Sequence, residues 1–194
     1  MSTTLTGYEA LSRPFRYVLE YYPAEQPELA ALIGKPYTVR LPMPDGSTRP
    51  PNGIVFRAEQ GPSTVRSARY TLELRPWFLR LDQERTCAVF QNMSVPEIVT
   101  KVCTDAGFGH IRNALSSTYP AKEYTVRYGE TSFAFLSRLM AEAGIVYFFE
   151  HSGSAHTLVM ADSPDVFADC PQGATLEWLP DAQDKEGGPP TEPS

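Results

Sequence analysis

Residues Glu123–His151 have the sequence EYTVRYGETSFAFLSRLMAEAGIVYFFEH, and this stretch decides the fold. Residues 123–128 are rich in aromatic and β-branched side chains, which favour a strand. After Thr131, apolar residues recur at helical spacing until Gly144 ends the run. Residues 145–150 are too few and too aromatic for a helix, so they predict a second strand. The apolar face of the predicted helix consists of Phe135, Leu136, Leu139, Met140 and Ala143.

Two further elements flank this stretch. Upstream, Ser94 and Glu97 form a capping box, in which each side chain bonds a free amide of the first helical turn. The following apolar residues lie on one helical face, and Gly107 ends the helix. Downstream, residues 152–154 predict a turn into a strand at 156–160, so the C-terminal end of the stretch becomes a β-hairpin.

The first 90 or so residues predict short strands separated by proline and glycine. A short helix is predicted at Glu28–Ile33, before Gly34. Turns are predicted at Pro42–Gly46 and at Gly61–Pro62. Several strands joined by short turns are typical of an antiparallel barrel or sandwich. The predicted strands are residues 15–22, 37–41, 53–58 and 65–74.

We therefore predict an α+β fold that is mainly β: an antiparallel barrel-like domain with inserted amphipathic helices. Residues 1–91 are predicted to form the barrel. Residues 92–180 are predicted to form an α/β segment with two helices and the hairpin. Residues 181–194 are rich in proline, glycine and acidic side chains, so a disordered tail is predicted there.

Charge and composition exclude several classes of function. The net charge of −6 gives no broad basic field, so nucleic acid is not expected as a partner. No apolar run approaches the roughly 20 residues of a membrane span, and no signal peptide is evident, so synthesis in the cytoplasm and no stable membrane insertion are expected. The three cysteines are far apart, which favours buried free thiols over disulfides or a zinc site.

No catalytic motif is present in the sequence, and we predict neither an enzyme nor a cofactor. His151 and His156 flank one turn and could ligate a metal, but no third ligand has a recognisable spacing. At a hairpin tip, solvated histidines are the expected arrangement. Glu123, Glu130 and Glu142 could act as acid and base, but helix-end or surface roles account for them.

Aromatic side chains are concentrated around the decisive stretch. Because Tyr147, Phe148 and Phe149 are consecutive in a strand, they point to alternate faces, and both faces must be covered. Burial within one chain and burial between subunits are both open, since aromatics are enriched at interfaces as well as in cores. The candidate assembly residues are Tyr124, Tyr128, Phe133, Phe135, Arg138, Tyr147, Phe148 and Phe149.

The block Glu123–His151 resembles the signature segment of VgrG, the spike protein family of type VI secretion. Further landmarks occur in the same order, and the resemblance extends to about Pro180. Arg127, Ser132 and Ala141 depart from the family, which more often has Gln, Asp and Glu there, and these changes are expected to weaken salt bridges to neighbours. The landmarks are Pro76-Trp77, residues 90–99, Tyr119-Pro120 and residues 156–163.

This resemblance implies a fold similar to the baseplate hub of contractile phage tails. In such hubs, barrel-like tube domains with inserted helices assemble as a trimer, which docks on the hexameric inner-tube protein Hcp and carries a membrane-puncturing tip at its other end. Residues 1–91 would be the first tube domain, and residues 92–180 would include the start of a truncated second half. Export would use the type VI apparatus without a signal peptide.

The expected function is therefore structural. The chain would be a homotrimeric hub adaptor that links the Hcp inner tube to the tip and contacts other baseplate or spike proteins. One alternative is the hub of a phage or phage-derived contractile particle, which would share the fold. An alternative of another class is a hydrolytic effector or a ligand-binding barrel, which would need a catalytic or binding constellation.

Overall fold

The structure, a computed structural model, describes residues 3–43, 46–63 and 68–167. Met1–Ser163 forms one compact unit. A second unit, Pro164–Ser194, is described only as far as residue 167 and contains a 3₁₀ turn at Pro164–Val166. Cys170 and the predicted tail at residues 181–194 lie outside the described residues.

The N-terminal part is mostly β. Its elements are β1 (Thr4–Ala10), β2 (Arg13–Tyr21), α1 (Leu29–Leu32), β3 (Pro36–Thr38), β4 (Leu41–Pro42), β5 (Thr48–Arg49), β6 (Asn52–Ser63) and β7 (Ala68–Arg75). Five strands form an antiparallel sheet in the order β1-β2-β7-β6-β3, curled into a half-barrel. Strands β4 and β5 form a separate small pair. The predicted mainly-β, barrel-like fold is thus confirmed.

One face of strand β2 packs against the hydrophobic core of the half-barrel. Phe15, Tyr17 and Leu19 are buried, and the residues between them are more exposed, as expected for a strand with one covered face. Leu72 and Leu74 of β7 bury their side chains in the same cluster. The strand predicted at residues 15–22 is confirmed as β2.

Strand β1 lies close to β2 because Gly7 has no side chain. A Cβ atom at Gly7 would lie only 2.9 Å from Cδ1 of Tyr17, its register partner. The Tyr17 ring therefore lies against Gly7 and covers its backbone, which has no side chain to shield it from solvent. The sequence pattern predicts no strand at residues 4–10, and pairing with β2 accounts for its formation.

Two of the predicted N-terminal features differ in the structure. The turn predicted at Gly61–Pro62 is wrong, because both residues belong to β6 and the ladder shifts register between Gln60 and Ser63, where a bulge tolerates proline. The strand predicted at residues 37–41 is divided between β3, which pairs with β6, and β4, which pairs with β5.

The remainder of the first unit combines helices with two small sheets. Its elements are a 3₁₀ helix (Trp77–Asp82), β8 (Arg85–Met93), α2 (Val95–Asp105), β9 (Ile111–Ala114), β10 (Lys122–Thr131), α3 (Ser132–Glu142), β11 (Val146–Ser152) and β12 (Ala155–Ala161). β10 pairs with β8, and β11-β12-β9 form a three-stranded sheet. The β12–β9 pair is parallel, an exception to the predicted antiparallel architecture.

Both predicted amphipathic helices form where their end signals place them. The capping box is present at the start of α2, where the Ser94 amide donates to the Glu97 carboxylate at 2.8 Å. In α3, the Thr131 hydroxyl accepts from the Ala134 amide at 3.1 Å. Gly144, with φ of +71°, follows the end of α3. Leu136 and Leu139 of α3 are buried, and each contributes about 1.5–3 kcal/mol to stability.

Two hydrophobic clusters fill the unit. The smaller cluster lies on the half-barrel around Phe15, and the larger one lies among α2, α3 and the β11–β12 hairpin. The predicted domain boundary at residue 91 falls inside β8, and the division into two domains stays a prediction. Within the described ranges, no helix is both long and apolar enough to cross a membrane.

Candidate assembly surface

Strands β8 and β10 form a two-stranded ribbon, here called the β8–β10 ribbon, with one inner and one outer face. On the inner face, Phe90 of β8 and Thr125 of β10 are buried. On the outer face, Tyr124, Val126 and Tyr128 follow one another at every second position of β10. The ribbon therefore separates a covered face from a face that solvent reaches.

The outer face of the ribbon is apolar and exposed. Tyr124 is 59% exposed, Val126 43% and Tyr128 83%, and Val89, the register partner of Val126, is 52% exposed. Within the described residues, β8 and β10 pair only with each other, so their outer edges are open. Clustered exposed apolar side chains and open strand edges are both features of surfaces that bind other polypeptides.

The ribbon bends where it joins α3. Its register shifts between Arg127 and Glu130, and Gly129 there has φ of +62°. A bulge of this kind increases the local twist and redirects the strand. The guanidinium of Arg127 bonds the hydroxyl of Ser132, so two of the residues that depart from the VgrG pattern contact each other.

Two of the candidate aromatic residues, Phe135 and Tyr147, belong to the larger cluster, and Phe133 and Phe149 pack against it. Phe135 and Tyr147 are only 0% and 1% exposed. The Phe135 ring stacks on Phe90 at 5.4 Å, and the Tyr147 ring meets Phe78 edge-on at 5.3 Å. Phe133 is half-buried and also meets Phe78, at 5.3 Å. For Phe135 and Tyr147, burial is thus within one chain.

Phe149 packs against both hydrophobic clusters and so joins the hairpin to the half-barrel. Its ring lies 5.2 Å from that of Phe15 and 6.0 Å from that of Tyr147. Phe148, the intervening residue of β11, is also half-buried. The consecutive aromatic residues thus have the two-sided cover that their alternation requires.

Arg138 lies on the exposed side of α3 and holds two carboxylates. Its guanidinium bonds Glu130 at 2.6 Å and Glu142 at 3.0 Å, and it lies over the Phe135 ring at 5.7 Å. The two glutamates therefore have a structural partner that explains their position. Because all three side chains are partly exposed, the ion pairs contribute little to stability on their own.

The prediction that His151 and His156 are solvated is wrong. They are register partners near the hairpin end, but the hairpin packs against the half-barrel, which leaves His156 only 5% exposed. The rings of the two histidines lie 5.9 Å apart and pack on Phe15 at 4.9 and 5.2 Å. Hairpin ends are solvated only when no other layer covers them, and here a sheet distant in sequence does so.

Hydrogen bonds determine the tautomer of His156. Its Nε2 atom accepts from the Trp77 amide at 3.0 Å, so the proton of a neutral ring is on Nδ1. That proton is donated to the side-chain oxygen of Asn52 at 2.9 Å. The Asn52 side-chain nitrogen donates in turn to the carbonyls of Ala155 and Pro50.

His151 takes the opposite tautomer. Its Nδ1 atom accepts from the Asn52 amide at 3.2 Å, so Nε2 carries the proton and donates to the Tyr17 hydroxyl at 3.0 Å. The Tyr17 hydroxyl donates to the Glu9 carboxylate at 2.5 Å, and Arg49 bonds the same carboxylate oxygen at 2.7 Å. The network thus runs from the hairpin to the open edge of the half-barrel.

Burial keeps both imidazoles neutral. It lowers the pKa of His151 to about 4 and that of His156 to about 3, and the neighbouring histidines lower the pKa of His156 further. Burial raises the pKa of Cys103 to about 12, as expected for a core thiol rather than a reactive one. In the described ranges, no three His, Cys, Asp or Glu side chains are arranged to hold a metal ion. The arrangement of these side chains supports packing of the hairpin on the half-barrel.

A family model described as the phage tail baseplate hub (GPD) matches residues 8–192. The chain belongs to this family. It is 42% identical over 178 residues to the type VI secretion system spike protein VgrG1b of Pseudomonas aeruginosa, covering 91% of the chain and 24% of that protein. The chain thus spans about a quarter of the length of that relative. The resemblance to VgrG is confirmed.

Solved structures support the same fold. An E. coli protein, c3393, matches with a TM-score of 0.75 and 25% identity over 87% of this chain and 49% of that chain. It is described as a component of the type VI secretion system with structural similarity to the T4 tail proteins gp27 and gp5. The 43 kDa tail protein of prophage MuSo2 from Shewanella oneidensis has a TM-score of 0.58 and 16% identity over 82% of this chain and 49% of that chain, which shows the fold alone.

Sequence reasoning finds part of the candidate surface and misses the rest. The sequence singles out Tyr124 and Tyr128 as candidate assembly residues, and their spacing of four also places Val126 on the same face. Val89 belongs there too, but only the strand register reveals it. Asn52 and Trp77 carry no local signal for their contacts with His156, because their partner comes much later in the chain.

Proposed function

We propose that this chain is a structural segment of a type VI secretion spike, and that it acts by assembly. It forms a homotrimeric hub that links an Hcp-like inner tube to the tip and contacts other baseplate or spike proteins. It is exported by the type VI apparatus and catalyses no reaction. Membership of the baseplate hub family and the likeness to VgrG spike proteins support this proposal.

The exposed outer face of the β8–β10 ribbon is the observation that carries the proposal. Tyr124, Val126, Tyr128 and Val89 are four apolar side chains left in solvent on one surface. Covering such a surface is favourable by about 25 cal/mol per Å² of apolar area. Assembly therefore gains the free energy of burying apolar surface that stays exposed in a single folded chain. A stable interface also needs more than about 1,000 Å² in total, so further surfaces must contribute.

The ribbon is suited to a rigid contact because its inner face is fixed. Phe90 of β8 stacks on Phe135 of α3, and Thr131 at the end of β10 bonds Asp82 at 2.6 Å. A surface held in place in this way loses little conformational entropy when a partner binds. Assembly by geometry requires such pre-organisation.

Native mass spectrometry of the 194-residue chain, alone and with an Hcp-like hexamer, tests the proposal. We expect a trimer that binds the hexamer, and the variants Tyr124→Lys and Val126→Lys to weaken both associations at least tenfold. A lysine on this face places a charge in a surface that must lose water.

The matched control is Tyr8→Lys, since Tyr8 is 54% exposed and lies on β1 of the half-barrel. It should leave assembly through the ribbon unchanged. A wild-type chain that stays monomeric and does not bind the hexamer would contradict the proposal. Equal losses in Tyr8→Lys and Tyr124→Lys would show that charge alone, and not the ribbon, decides assembly.

A further inference from the structure

Two of the hydrogen bonds that attach the end of the β11–β12 hairpin to β6 and to the 3₁₀ helix have acceptors that exist only on neutral imidazoles. Nδ1 of His151 accepts from the Asn52 amide, and Nε2 of His156 accepts from the Trp77 amide. A proton added to either nitrogen converts the acceptor into a donor. Two N–H groups would then point at each other inside the protein, and that hydrogen bond would be lost.

The surroundings of His156 offer no compensation for a positive charge. It contacts the neutral side chain of Asn52 and the rings of Phe15, Phe149 and Trp77. Among the described residues, the titratable groups that influence it are His151 and His110, and both lower its pKa. An imidazolium at this position would thus be desolvated and without a counter-charge, which is unfavourable.

The surroundings of His151 would compensate only partly for a positive charge on its ring. The Tyr17 hydroxyl separates it from Glu9, whose negative charge opposes the effect of burial. Arg49 binds the same carboxylate and acts in the opposite sense. Burial is the dominant influence, so His151 also favours the neutral form.

The two ends of the hairpin are held by different forces. At the far end, Leu158 and Met160 are fully buried in the larger cluster and lie in the part of β12 that pairs with β9. At the closed end, His151, His156 and the Ala155 carbonyl make the polar contacts described above. Acid therefore acts on one end of the hairpin.

We propose that His151 and His156 form an acid-released clamp: their protonation frees the closed end of the β11–β12 hairpin from the half-barrel while the far end remains packed. This property goes beyond the assembly role and concerns a single chain. The released state exposes Phe15 and the half-barrel core next to it. Association surfaces can thus be changed by pH without unfolding of the helical part.

The expected pH response follows from proton uptake. In the open state both imidazoles meet water and regain their ordinary pKa of about 6.5. Opening then takes up between one and two protons from about pH 6 to pH 4.5, so the opening constant rises about fiftyfold for each unit of falling pH. Global unfolding exposes the same two imidazoles, so release of the hairpin is recognised by an opening constant larger than that of global unfolding.

Hydrogen exchange measured by NMR on the complete chain tests the clamp. The reporters are the amide protons of Asn52 and Trp77, which bond the two imidazoles. After correction for the intrinsic exchange rate, their opening constants should rise about fiftyfold between pH 6 and pH 5. Amides of Leu72 in β7 and Val99 in α2 should have opening constants at least tenfold smaller at each pH, because they open only when the chain unfolds globally. Equal opening constants at all four amides would mean global unfolding and would overturn the proposal.

Imidazole nitrogen shifts give a test that needs no variant. At pH 6 we expect neutral rings, with the proton on Nδ1 of His156 and on Nε2 of His151. An imidazolium signal from either ring at pH 6 would overturn the clamp.

Variants provide the final comparison. His151→Gln with His156→Gln removes both titrating groups and should abolish the steep response at Asn52 and Trp77, whereas His110→Gln, which removes an exposed imidazole, should retain it. A folded double variant with an unchanged response would refute the clamp. If the double variant does not fold, the wild-type exchange ratios and nitrogen shifts decide.

Discussion

The rings of Phe15 and Phe149 meet edge to face, with centroids 5.2 Å apart and planes at 90°. This contact joins the core of the half-barrel to a residue that also packs on the larger cluster. Removing the Phe149 ring should therefore leave a cavity where the two clusters meet. A variant without this ring tests whether the half-barrel core and the larger cluster stabilise each other.

We expect Phe149→Ala to lower the free energy of unfolding by about 2–4 kcal/mol, because lost burial and a residual cavity both contribute. Urea denaturation monitored by circular dichroism measures it. The control, Tyr128→Ala, removes a ring that is 83% exposed and should change the free energy by less than about 0.5 kcal/mol. Similar losses in the two variants would contradict a shared core at Phe149.

Asn52 is the buried amide that connects three partners. It is 1% exposed, and its side chain bonds His156 at 2.9 Å, the Ala155 carbonyl at 2.9 Å and the Pro50 carbonyl at 3.1 Å. Asn52→Ala should destabilise the protein by about 2–4 kcal/mol in urea denaturation, since buried groups lose their partners. The exposed Asn113 is the matched control, and Asn113→Ala should cost less than about 1 kcal/mol. A cost for Asn52→Ala no larger than the control would be inconsistent with this network.

Stability should fall on mild acidification. Burial sets the folded pKa of His151 at about 4 and of His156 at about 3, below the ordinary 6.5. The unfolded chain therefore binds more protons as the pH falls through 6.5, and the contribution that is complete above that pH is progressively lost. Each histidine should account for about 2 kcal/mol between pH 7 and pH 5.

Urea denaturation at several pH values between 7 and 5 measures this loss, in a range where carboxyl groups are still mostly ionised. His156→Gln should show about half the wild-type slope, because only His151 then titrates. A wild-type free energy of unfolding that is flat across this range would contradict neutral, buried imidazoles.

The Thr131 hydroxyl has two roles at the start of α3. It accepts from the Ala134 amide at 3.1 Å and donates to Asp82 at 2.6 Å. Thr131→Val keeps the shape but removes both bonds, and thermal denaturation should reveal a loss of about 1–2 kcal/mol. Thr131→Ser keeps the hydroxyl and should lose less than half as much. An equal loss in both variants would mean that packing of the methyl group, and not capping, matters.

Local signals were sufficient for the helices and the hairpin. The Ser94–Glu97 box and Gly144 act within one or two turns of the chain, so their effect can be predicted without knowing the fold. The two-residue turn between β11 and β12 is of the same kind. Ser132 and Arg127 also contact each other locally, but no sequence rule predicts that pair.

Long-range packing explains what the sequence could not predict. His156 is buried because Asn52 of β6 and Trp77 of the 3₁₀ helix pack on it, and no residue near His156 in the sequence indicates this. The 3₁₀ helix at Trp77–Asp82 and strand β9 are similarly set by tertiary contacts. The sequence indicates the aromatic residues of the candidate surface but not their exposure. Exposure of Tyr124 depends on which face of the ribbon packs against α3.

Strand β12 lies between β11 and β9, yet it is made after both of them. During translation, β9 therefore has no pairing partner until β10, α3, β11 and β12 have left the ribosome. Its parallel partner then arrives last, and closing such a distant pair costs chain entropy before any contact is gained. Nascent chains that stop short of β12 would present two strands without their shared neighbour, and these are natural substrates for chaperones.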